Sequence, residues 1–95
     1  MEDKEAYRKK QEAQLKEASA KIKVLEAKAE EAKAEARIRY HTELEKLKSY
    51  RDVVQERLDE VGRAGGEAFA ALKQGTEKAF ADLRNALNEA LSKFK

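Results

Sequence analysis

Apolar and small residues recur along the first part of the chain in alternating steps of three and four: Leu15, Ala18, Ile22, Leu25, Ala29, Ala32 and Ala36. Such alternation keeps one face of a helix apolar and is a heptad seam. From Ala36 the row runs on through Tyr40, Leu44, Leu47, Tyr50, Val54, Leu58 and Val61. Its steps there have an 11-residue rhythm, which locally unwinds a left-handed supercoil. Proline is absent and no glycine precedes Gly62. The pattern therefore predicts one helix over about residues 4–60. Gly62, Gly65 and Gly66 are the clear break, since each glycine costs roughly 1 kcal/mol against alanine inside a helix. They predict a turn over about residues 61–66.

The last thirty residues carry an internal repeat, GEAFAALKQGT, EKAFADLRNAL and NEALSKFK. Ala68, Ala79 and Ala90 share a column, as do Lys73, Arg84 and Lys95. Phe69, Leu72, Phe80, Leu83, Leu87, Leu91 and Phe94 fall within about 100° of one another at 100° per residue. Gly75 and Thr76 interrupt the register lightly without ending the helix. The columns also extend backward: Leu25, Ala36, Leu47, Leu58, Phe69, Phe80 and Leu91 are each 11 apart. A second helix is predicted over about 66–94.

These elements predict an all-α, coiled-coil-type helical hairpin, a single domain over 1–95. Leu47, Tyr50, Val54, Leu58 and Val61 of the long helix would pack on the C-terminal stripe. At 1.5 Å per residue the helices would be about 85 Å and about 43 Å long. The shorter could cover only half of the longer. The seam from Leu15 to Ala36 would then lack an intrachain partner, which predicts a homo-oligomer through that seam.

Composition agrees with long helices. Ala, Glu, Lys, Leu and Arg make up 62 of the 95 residues, well above the roughly 50% that signals a long helix or coiled coil. The charged fraction is 42%, yet the net charge is only +2. No strong field exists to draw in nucleic acid. The basic run Arg8, Lys9 and Lys10 is offset by Glu2, Asp3, Glu5 and Glu12, so no nucleic-acid partner is expected. Opposite charges at Glu12/Lys16, Glu17/Lys21 and Glu45/Lys48 would support the exposed face, each by about 0.2–0.5 kcal/mol. Leu, Ile, Val and Phe make up only 18 residues, a small endowment for a chain that must fold without a partner. Without cysteine there are no disulfides and no thiolate metal sites. No apolar run approaches the ~20 residues of a membrane span. The charged start MEDKEAYRKK lacks the apolar core of a secretory signal. A cytoplasmic setting is expected.

No residue set predicts catalysis, a metal or a cofactor. His41 has Ile38 where a Glu-x-x-His motif needs glutamate, and it reads as a polar residue beside the seam. The four glycines match neither GxxxxGK nor GxGxxG. Asp52, Glu56, Asp59 and Glu60 cluster on one helix, but Arg51, Arg57 and Arg63 stand among them, which makes a self-neutralising face. The C-terminal stripe has two readings. It is a core that packs on the first helix, or a lipid- or granule-surface helix with Lys73, Arg84 and Lys95 reaching toward headgroups. Glu67, Glu77, Asp82 and Glu89 on the polar face favour the core. An adaptor whose N-terminal seam takes a different protein is a further alternative.

Tyr7, Ala13-Gln14-Leu15, Ile22, Leu25, Ala27-Lys28-Ala29, Tyr40, Ala68-Phe69, Leu72-Lys73, Gly75, Ala79-Phe80 and Phe94-Lys95 together carry a resemblance. Over nearly its whole length the chain resembles a family of small bacterial coiled-coil proteins associated with stress responses. That family often has tryptophan where Phe69 and Phe80 stand. The resemblance implies a cytoplasmic, non-catalytic, stress-associated protein and supplies no mechanism.

Overall fold

The computed structural model describes residues 2–94. Three helices follow in order: α1 (Glu2–Glu31), α2 (Ala34–Arg63) and α3 (Gly66–Lys93). They run up, down and up, with α1 and α3 each antiparallel to α2. Lys4 at the start of α1 meets the end of α2, and Lys93 at the end of α3 meets Glu43 near the start of α2. The bundle measures 51 × 18 × 17 Å, close to the roughly 45 Å expected of one 30-residue helix. No described helix is long and apolar enough to cross a membrane.

The single helix over 4–60 is not what forms. It breaks at Ala32 and Lys33 into α1 and α2, so the hairpin becomes a three-helix bundle. The break has a packing cause. Folding α1 back sets Leu15, Ala18, Ile22, Leu25 and Ala29 against the apolar row of α2, and all five are buried. Complete burial of one Leu or Ile contributes about 1.5–3 kcal/mol. Several such side chains outweigh the few helical hydrogen bonds lost at the bend. The bend keeps part of what it breaks: Ala32 N–H donates to the Ala29 carbonyl at 3.2 Å, and Arg37 Nη2 donates to the Glu30 carbonyl at 2.9 Å.

The second turn lies where the glycines place it, at Ala64 and Gly65. Gly62 still belongs to α2, and Gly66 opens α3. Lys4 Nζ donates to the carbonyls of Ala64 (2.8 Å) and Gly62 (3.4 Å). A cation thereby meets the negative end of the α2 dipole and the carbonyls that a helix end leaves unpaired.

Leu44, Leu47, Val54 and Leu58 of α2 share one core cluster with Ala79, Phe80, Leu83, Leu87, Ala90 and Phe94 from the α3 side, and Val61 is buried beside the turn. Thr76 does not interrupt this register. It is fully buried, and its hydroxyl donates to the Leu72 carbonyl at 2.9 Å. Steps of four from Leu72 through Thr76 to Phe80 carry the face across it. Leu91 and Tyr50 depart from the predicted stripe, being 42% and 40% exposed. Ala90 and Phe94 take the inward positions near the end of α3, and Tyr50 stands at the edge of the α2–α3 interface. Phe69 and Leu72 are half-buried.

Candidate interaction surfaces

Each end of the bundle is closed by an aromatic pair. At one end the Tyr7 ring meets Phe69 edge-on, with centroids 5.6 Å apart and planes at 70°. Lys73 Nζ lies 5.4 Å from the Tyr7 centroid and 5.7 Å from that of Phe69. This placement attracts a cation to both ring faces. Tyr7 Oη donates to the Lys73 carbonyl at 3.4 Å. Burial, helped by the nearby Glu77 carboxylate, raises the Tyr7 hydroxyl pKa above its ordinary 10.0. At the other end Tyr40 stacks on Phe94 at 4.1 Å and 24°. There Lys93 Nζ donates to Glu43 at 3.0 Å.

The ion pairs that form differ from those expected on one straight helix. Lys48 reaches Glu26 of α1 at 2.7 Å. The hydrogen bond from Lys48 to Glu26 raises the lysine pKa above its usual 10.5. Glu12 takes Arg8 at 3.2 Å, with Glu5 also on Arg8 at 3.4 Å. Glu45 lies 3.8 Å from His41, whose side chain is exposed. Folding α1 back brings Lys48 to Glu26, a pairing that spacing along a single helix does not contain.

α1 and α3 both rest on α2 and touch each other little. Between them lies an open groove of about 270 Å³, walled by Gln14, Glu17, Lys21 and Arg84 over Ala18, Phe80, Leu83 and Leu87. Its apolar floor is already buried by the bundle itself. The seam predicted to meet another chain is thus placed inside this one. Leu15, Ala18, Ile22, Leu25 and Ala29 are core, while Ala32 and Ala36, beside the bend, are half-buried. The length mismatch that motivated an oligomer disappears with the break in the helix. The α3 stripe also turns inward, so a lipid surface could meet Phe80, Leu83, Leu87 and Phe94 only after the bundle opens.

On the acidic face, Asp52 pairs with Arg51 at 3.2 Å and Glu60 with Arg57 at 3.3 Å. Asp59 accepts from Gln55 at 3.1 Å. Among the described residues no group of three or more His, Asp or Glu is placed to hold a metal ion. Sequence reasoning missed buried Thr76 and Gln11; the 72-76-80 spacing would have found the first. It also missed the most exposed large apolar side chains, Ile38 at 70% and Val24 at 57%. No protein-family model matches the chain, and no curated protein or solved structure matches it.

Proposed function

We propose that the chain is a non-catalytic structural protein that works by helix–helix packing with further copies of itself, in the stress setting that the family resemblance implies. The observation that supports this reading most is the α1 row. Leu15, Ala18, Ile22, Leu25 and Ala29 alternate in steps of three and four, and α2 supplies most of their cover. A heptad row can pack on another helix that carries a matching row, with the flanking charges setting partner choice. A second copy carries the matching row by construction.

Sedimentation equilibrium from micromolar to millimolar concentration tests the reading, with circular dichroism alongside. The expected result is a strongly helical protein whose mass rises above the 10.8 kDa of one chain. A helical monomer across the whole range rejects it.

A further inference from the structure

The two turns of the bundle are built differently. Gly65 and Gly66 mark the second, and Lys4 closes it from another helix. The first has no such chemistry. Residues 27–37 are alanine, lysine, glutamate and arginine throughout, all good helix formers. Lys33 occupies the N-cap of α2 with no side-chain capping bond. No described residue, glycine included, has a positive φ. Local preference here favours a helix running straight through, and the bend exists because it lets α1 bury its row.

A second copy offers the same burial. If Lys33 straightens, Glu2–Arg63 becomes one helix. The apolar row crosses the bend through Leu25, Ala29, Ala32, Ala36, Tyr40 and Leu44 in steps of three and four. Straightening therefore keeps the α1 row on the face shared with α2. That row then extends beyond its own α2, where it can lie on the α2 and α3 of a partner. The partner's α1 returns the same contacts.

We propose that Ala32 and Lys33 are a hinge through which two copies of this chain exchange α1. The proposal rests on the self-association reading and specifies its mode. Both forms hold the same α1 interface. They differ in the helical bonds regained at the hinge and in the cost of bringing two chains together. The exchanged dimer accordingly grows with concentration.

Ala34→Pro separates the two forms. Ala34 is the first helical residue of α2, where the missing N–H and fixed φ of proline are tolerated. Lys33 already has the extended backbone that a following proline requires, at φ −67 and ψ 159. Inside a straight helix the same proline removes a hydrogen bond and clashes one turn back. It should weaken exchange by about a hundredfold or more. In sedimentation equilibrium the wild type is expected to dimerise toward millimolar concentration and Ala34→Pro to stay monomeric and helical.

A second measurement does not depend on proline. The chain has no cysteine, so Ser19→Cys with Ser49→Cys accepts two spin labels cleanly. The two positions sit at similar heights on antiparallel helices whose axes are about 8–10 Å apart in the bundle. In the straight helix they lie about 45 Å apart. Labelled chains diluted into excess unlabelled wild-type protein should show the long distance replacing the short one as concentration rises. If Ala34→Pro associates as strongly as the wild type, or if associated wild type keeps only the short distance, exchange is overturned and self-association stands. A wild type that stays monomeric at millimolar concentration overturns both.

Discussion

Gly62 and Gly75 are both helical, and they separate two reasons for a glycine. A Cβ at Gly75 would meet nothing within 4 Å. Gly75→Ala should therefore stabilise the bundle by about 0.5–1 kcal/mol, the ordinary propensity gain, read from urea midpoints. At Gly62 an added Cβ would lie 3.3 Å from both Nε and Cζ of Arg8. The guanidinium lies across the glycine and turns its outer nitrogens to Glu5 and Glu12, while its Nε is covered and has no partner among the described residues. Gly62→Ala should gain less than Gly75→Ala because Arg8 must give way. In an Arg8→Ala background the full gain should return. A double-mutant cycle with no coupling between positions 8 and 62 would refute this account.

Helix ends divide in the same manner. The end of α2 is capped from a distance by Lys4, whereas its start at Lys33 has extended backbone and no capping side chain. Lys33→Asp would place a carboxylate where it can accept from the first free N–H groups. It should raise stability by about 1 kcal/mol in urea unfolding. An unchanged midpoint would mean that the bend is held by something other than its caps. These elements also show how far the sequence could be read. The row from Leu15 to Ala29, the α2 positions from Leu47 to Val61, and the glycine turn were all visible, because burial imposes a period and glycine weakens a helix. The bend at Ala32 and Lys33 was not, because neither residue carries turn chemistry. It arises from the area that two distant segments bury together, which no local pattern records. The Lys48–Glu26 pair was hidden for the same reason. Leu91 and Tyr50 follow from repeat arithmetic that a single straight stripe satisfies and a three-helix bundle does not. The α1–α3 groove was also invisible, since it depends on how two helices sit on a third.

For the whole molecule, attachment of α1 is the question on which stability and self-association both depend. Two of its contacts involve groups that titrate in alkali. The Tyr7 hydroxyl, pushed above 10.0 by burial and by Glu77, keeps its proton in the folded chain at pH values where the unfolded chain has lost it. Lys48, raised above 10.5 by its hydrogen bond to Glu26, likewise holds its proton longer when folded. In both cases the folded state binds more protons between the two pKa values, so stability falls as pH rises through that window. Each contribution is fully present below the unfolded value, near pH 10 for the tyrosine and pH 10.5 for the lysine. Thermal midpoints from circular dichroism should therefore be lower at about pH 11.5 than at about pH 9. Tyr7→Phe and Lys48→Met should each lose less of their own midpoint across that interval than the wild type does. Equal losses in all three chains would show that alkali acts through the general loss of lysine charge. A smaller loss in both variants would locate the effect in the contacts that hold α1 to the bundle, the element the hinge would release.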